Sequence, residues 1–150
     1  MARTIELATT NARSGRGGPF AAVVVKDGKI LAEGANLVTS ANDPTAHAEI
    51  VAIRRACQAL GNFQLHGCEI YTSCEPCPMC LGAMYWARPA RIYFASTAGD
   101  AAAVGFDDSL IYEQLKVPFA QRRIPMIQLM REEAQAAFRA WEQNPDKTLY

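Results

Sequence analysis

The dipeptide Asp27-Gly28 decides how the fold begins. It separates an apolar run, Phe20 to Val25, from Lys29-Ile30-Leu31-Ala32-Glu33, and an Asp-Gly pair supplies the positive φ angles of a primed two-residue turn. The first two strands are therefore antiparallel neighbours, and a sheet built on them cannot be all parallel. Ahead of the hairpin, Ile5, Leu7, Ala8 and Ala12 give Thr4 to Arg13 a short helical pattern that stops at the loop Ser14-Gly15-Arg16-Gly17-Gly18-Pro19. Behind it, Asn36 to Asp43 is polar and loop-like. Asp43-Pro44 then offers a helix entrance, and apolar positions recur at helical period from His47 to Leu60-Gly61. Cys68 to Thr72 alternates as a strand does, and Pro76-Cys77-Pro78 opens a helix that runs to about Ala87. Arg91 to Ala95 reads as a strand, Ser109 to Leu115 as helical, Ile124 to Met130 as a strand and Arg131 to Gln143 as a final helix. Strands alternating with helices predict an α/β protein, a three-layer α/β/α sandwich around a five-stranded mixed sheet. With no repeat or linker-like stretch, residues 1–150 read as one domain.

Composition excludes several classes. Half of the residues are apolar and 20% are charged, which argues against disorder, and the longest apolar run, Phe20 to Val25, is far too short to span a membrane. The 15 basic side chains balance 15 acidic ones, and no basic cluster exceeds two residues, so nucleic acid is not the expected partner. Met1 to Glu6 lacks the apolar core of a secretory signal, which points to a reducing cytoplasm where the 5 cysteines are thiols or metal thiolates.

Three of those cysteines, Cys74, Cys77 and Cys80, fall at intervals of three. Cys77 and Cys80 at the start of a helix present their sulfurs on one face, where the helix N-terminus favours thiolates. With His47 they form a soft three-ligand set suited to Zn²⁺, leaving the fourth tetrahedral position for water. Glu49, two residues after His47, would diverge from it on a regular helix, so a second ligand there is not expected. From a first turn, however, a carboxylate can reach the water and move its proton. His-x-Glu followed by Pro-Cys-x-x-Cys is the described pattern of the zinc nucleobase deaminases. Two other readings of the same residues are a closed structural site that adds Cys74 and the opening of an iron–sulfur run. The second lacks its fourth cysteine, because position 84 is Met84.

Pro44-Thr-Ala-His-Ala-Glu49, Tyr71-Thr-Ser-Cys-Glu-Pro-Cys-Pro-Met-Cys-Leu-Gly-Ala83 and Tyr85-Trp-Ala-Arg-Pro89 resemble the cytidine deaminase-like superfamily. Gly105-Phe-Asp-Asp-Ser109 and the terminal Tyr150 extend the resemblance to its bacterial guanine deaminases, over nearly the whole chain. The resemblance implies zinc held by His47, Cys77 and Cys80, with Glu49 shuttling protons while hydroxide attacks C2 of guanine to give xanthine and ammonia. It also implies that Asp108 contacts the purine and assists proton movement near the leaving amine. Asn36 would hydrogen-bond the base, Phe20, Ala48 and Trp86 would line its site, and Tyr150 would close it. Family members are homodimers, and in the bacterial guanine enzymes the C-terminal segment can cross to the other subunit. The implied partner is a free purine base, with neither nucleic acid nor membrane. The competing functions are a tRNA adenosine deaminase, another base or nucleoside deaminase, and a zinc-stabilised binding domain without activity. Neutral charge, and Ser73-Cys74 ahead of Glu75-Pro76, weigh against the tRNA enzyme. Relatives have a slightly longer first helix, so a short one is expected here.

Overall fold

A computed structural model describes all residues, 1–150, as two compact units, 1–108 and 109–150. The first unit opens with helix α1 (Ala2–Ser14), 13 residues long and thus fuller than expected. It ends at Gly15, whose φ of 68° gives the left-handed cap that glycine adopts without strain. Strands β1 (Ala21–Lys26) and β2 (Lys29–Ala35) form the anticipated hairpin, with φ of 50° at Asp27 and 74° at Gly28. A four-residue helical turn, α2 (Val38–Ala41), stands where the polar composition suggested only loop.

Helix α3 (Ala48–Leu60) begins at an extended His47, not at Asp43-Pro44. The Asp43 carboxylate instead accepts from the Thr45 N–H at 2.8 Å and from its hydroxyl at 2.7 Å, folding Asp43 to His47 into a turn. Strand β3 (Cys68–Cys74), helix α4 (Pro78–Ala87), strand β4 (Arg91–Ser96) and a short helix α5 (Ala98–Ala102) complete the unit. The second unit holds α6 (Ser109–Lys116), a three-residue 3₁₀ turn and α7 (Arg131–Gln143).

The sheet has four strands in the order β2-β1-β3-β4, antiparallel except for the parallel β3–β4 pair. It is mixed, as the hairpin required, but lacks the fifth strand expected at Ile124–Met130, which joins no ladder. Pro125 withholds one backbone donor, and the second unit contains no strand against which this segment could pair.

One sheet face, with Ala22, Val24, Ala32 and Ile70, packs against Ala48, Ala52 and Ala56 of α3 and Met84 and Ala87 of α4. Across the sheet, α1 buries Thr4, Ala8 and Asn11. Its Arg3 forks onto both Glu33 carboxylate oxygens at 2.7 and 3.0 Å. Small residues bring α3 unusually close. A Cβ at Gly34 would overlap the Ala48 carbonyl oxygen and lie 2.6 Å from the Ala52 nitrogen. Gly34→Ala should therefore push α3 off the sheet at a cost of roughly 1–3 kcal/mol, lowering Tm by about 2–12 °C. Thermal unfolding checks this, and an unchanged Tm would mean that α3 does not rest on Gly34. No helix is long and apolar enough to cross a membrane.

Candidate metal centre and active site

Two helices start at the same place. His47 is the N-terminal cap residue of α3 and Cys77 that of α4, both with extended backbone (ψ 155° and 165°). Pro78 occupies the first turn of α4, where its missing N–H costs nothing. The chain order β3, turn, α4 thus carries Cys77 and Cys80 to the end of the sheet where α3 begins.

His47 Nδ1 lies 3.5 Å from Cys77 Sγ and 3.5 Å from Cys80 Sγ, and all three ligand atoms fall within 4.8 Å of one another. Zinc bonds of about 2.0 Å to nitrogen and 2.3 Å to sulfur, at a tetrahedral angle, separate the donors by about 3.5 Å. The donor set and its two nitrogen-to-sulfur distances suit that ion. Hydrogen bonding from Cys80, and then from His47, pulls the Cys77 thiol down to about 4, while the Cys80 thiol is pushed up because it keeps the proton Cys77 leans on. His47 is raised by its bond to Cys77. A divalent cation bound here would displace thiol protons from the cluster.

Cys74 does not join them. Its buried Sγ donates to the Thr97 carbonyl at 3.4 Å, so the closed site of three cysteines and one histidine is excluded by geometry. No fourth cysteine approaches either, and the iron–sulfur reading falls with it.

Glu49, in the first turn of α3, is only 6% exposed, and burial raises its carboxyl above the ordinary range. His47 precedes the helix, so the helical divergence of residues two apart does not separate them. Thr72, fully buried on β3, donates its hydroxyl to the Cys74 carbonyl at 2.9 Å and faces Glu49 Oε1 at 3.3 Å. Sequence reading missed Thr72, and the only signal was its place on the inward face of the strand that leads to Cys77.

Asn36 is buried at the end of β2. Its Oδ1 accepts from the N–H groups of Gly18 and Val38 at 3.2 and 3.3 Å, which turns Nδ2 outward from those bonds as a donor. Asn11, also missed in the sequence, fixes this loop by donating Nδ2 to the Gly18 and Asn36 carbonyls, both at 2.9 Å. Phe20 meets Phe106 edge-on with ring centroids 4.9 Å apart. Ala48 is fully buried with its methyl in the core, and Trp86 on α4 is 65% exposed. Burial, followed by repulsion from Cys77, raises the Asp108 carboxyl. Tyr150 belongs to the second unit, where its ring meets Trp141 at 6.4 Å.

The family model for the cytidine and deoxycytidylate deaminase zinc-binding region matches residues 1–96. The chain belongs to this deaminase family. Within the family it is 53% identical to guanine deaminase of Bacillus subtilis (strain 168), over 100% of this chain and 96% of that one. The X-ray structure of guanine deaminase from B. subtilis superposes with a TM-score of 0.97, covering 99% of this chain and 95% of that one at 53% identity. The tRNA-specific adenosine deaminase of Agrobacterium fabrum is 43% identical over 67% of this chain and 68% of its own. A crystal structure of mutant NE0047 in complex with 8-azaguanine gives a TM-score of 0.68 at 38% identity, covering 71% of this chain and 62% of that one. The α/β fold is therefore that of this deaminase family, with four strands in the sheet.

Proposed function

We propose that this chain is a zinc-dependent deaminase that hydrolyses guanine to xanthine and ammonia. The observation that carries the reading is a 3.5 Å His47, Cys77 and Cys80 cluster beside a buried Glu49, in a chain 53% identical along its whole length to a guanine deaminase. Bound at those three side chains, zinc would polarise and acidify the attacking water.

The chain's own residues do the rest. Glu49 is the proton carrier: its carboxylate accepts a proton from the attacking water and passes it to a ring nitrogen, then takes the proton of the newly added hydroxyl and delivers it to the amine as ammonia leaves and the carbonyl forms. Low solvent exposure keeps that proton from leaking away, and the Thr72 hydroxyl limits the carboxylate's freedom. Asn36, with Oδ1 held by two backbone donors, offers Nδ2 to an acceptor on the base. Phe20 and Phe106 provide an aromatic wall and Trp86 adds to the lining, whereas Ala48, with its methyl in the core, can contribute only its backbone. Asp108, held near the cluster's charge, assists the proton transfer to the amine.

Residues 1–150 act as one deaminase domain, with a purine base as partner and neither nucleic acid nor membrane. The full-length likeness to a guanine deaminase, against two thirds for the tRNA enzyme, supports the free base, as does a net charge of zero. A homodimer with an exchanged C-terminal segment also fits. The outer strand β4 is exposed along nearly all its length, and Ile124–Met130 displays Ile124, Ile127 and Leu129 at 78–80% exposure without a strand partner. No disulfide joins the five cysteines, as suits the reducing cytoplasm in which such an enzyme of purine breakdown would work.

A panel of guanine, adenine, cytosine, cytidine and a tRNA anticodon arm, assayed for ammonia with zinc-loaded protein, tests the assignment. Guanine should be turned over at least about 100-fold faster than the others, since a site built on buried hydrogen bonds rejects mispaired analogues strongly. Inosine formation in tRNA at a higher rate would replace the reading.

A further inference from the structure

Glu75 has no part in the chemistry just described, yet it ties two pieces of the site together. It is the residue between β3 and the turn that carries Cys77, and its side chain is exposed. Its backbone N–H donates to the Ser96 carbonyl at 2.8 Å, and its Oε2 accepts the Ala98 N–H at 3.0 Å. Ala98 is the first residue of α5.

Helix α5 has only five residues and cannot persist on its own propensity, because a single turn does not recover the cost of nucleation. It is held at its start by two devices. In the first, Thr97 and Asp100 cap it reciprocally: Thr97 Oγ1 accepts the Asp100 N–H at 3.2 Å, while the Thr97 N–H and hydroxyl each donate to Asp100 Oδ2 at 2.8 Å. The second is the Glu75 carboxylate, which reaches across from a different segment. At its far end, the Gly105 N–H donates to the Ala102 carbonyl and the Phe106 N–H to the Ala101 carbonyl, both at 3.0 Å, with Gly105 at φ 93°. This turn sets the Phe106 ring against Phe20 and Gly18, and Asp108 follows two residues later.

We propose that Glu75 is a positioning residue of the active site: its carboxylate clamps α5 to the ligand-bearing turn and thereby sets where Phe106 and Asp108 stand. The inference rests on the deaminase reading and on the role given there to Asp108. What α5 needs from Glu75 is an acceptor for one N–H, not a charge, so glutamine should serve in its place.

The test uses zinc-loaded wild type, Glu75→Ala, Glu75→Gln, Asp108→Ala and the double variant Glu75→Ala/Asp108→Ala, each assayed for guanine turnover, zinc content and Tm. Loss of one such hydrogen bond should lower kcat/KM by roughly tenfold in Glu75→Ala, with one zinc per chain retained. Glu75→Gln should recover to within about threefold of wild type, and the double variant should be no slower than Asp108→Ala, since residues acting through one another are not additive. Independent multiplication of the two losses would overturn the proposal. So would a Glu75→Gln variant as impaired as Glu75→Ala, or zinc lost in step with activity. In each of those cases an active wild type leaves the deaminase reading standing. A wild type that does not turn over guanine removes that reading and this inference together.

Discussion

Glu49→Gln should lower kcat for guanine by about 10³-fold, within the 10²–10⁴ range that a positioned proton carrier supplies, while zinc remains bound at one ion per chain. The substitution keeps the volume of a side chain that is 6% exposed and preserves an oxygen to face the Thr72 hydroxyl, so packing is little changed. What it removes is the ability to accept a proton and give it back. The cluster of His47, Cys77 and Cys80 does not include Glu49, and its geometry should survive. Steady-state kinetics beside metal analysis separates the two effects. A Glu49→Gln protein with near-normal turnover would remove Glu49 from the mechanism, and one that lost its zinc would make Glu49 a ligand or its direct support.

The second large effect falls on stability. Cys77→Ala should release the metal, abolish turnover and lower Tm by on the order of 10 °C. A ligand present at about 1,000 times its Kd stabilises the folded state by about 4 kcal/mol, and a domain of this size loses about 2–4 °C per kcal/mol. Cys77 is well placed for such a loss, because it is both a donor 3.5 Å from His47 and the cap residue from which α4 starts. A strong chelator should move the wild type to the same Tm and leave the variant unaffected. Cys74→Ser is the control: its sulfur faces the Thr97 carbonyl, so zinc stoichiometry should be unchanged. Differential scanning calorimetry with and without chelator reads all three, and a chelator response retained in Cys77→Ala would contradict the ligand set.

The parts of this architecture that were legible in the sequence are those whose causes are local. The Asp27-Gly28 turn, the stop of the first helix at Ser14-Gly15, the glycine at position 61 and the proline at the start of α4 each carry their own conformational reason, and each stands where expected. The metal cluster was legible too, because a Cys-x-x-Cys at a helix start brings two sulfurs together regardless of the rest of the fold. What escaped depends on distant partners. Ile124–Met130 has the composition of a strand, but a strand exists only with a neighbour to pair with, and none is present in its unit. Helix α5 was missed for the opposite reason: five residues with little propensity are held in place by Glu75, more than twenty positions earlier. At the head of α3 the Asp43-Pro44 signal was real but belonged to the turn before the helix, and that turn leaves His47 extended and free to face the two cysteines. Thr72 and Asn11 were invisible because their importance lies in one hydroxyl and one amide aimed at other segments.

If the cluster and Glu49 together serve guanine hydrolysis, the ultraviolet spectra of guanine and xanthine will report it in the presence of purified protein carrying one zinc per chain. Guanine should be converted stoichiometrically to xanthine with one ammonia released per guanine, and turnover should be lost on chelation and restored by added zinc. Guanine left unchanged by fully zinc-loaded, folded protein would contradict that role.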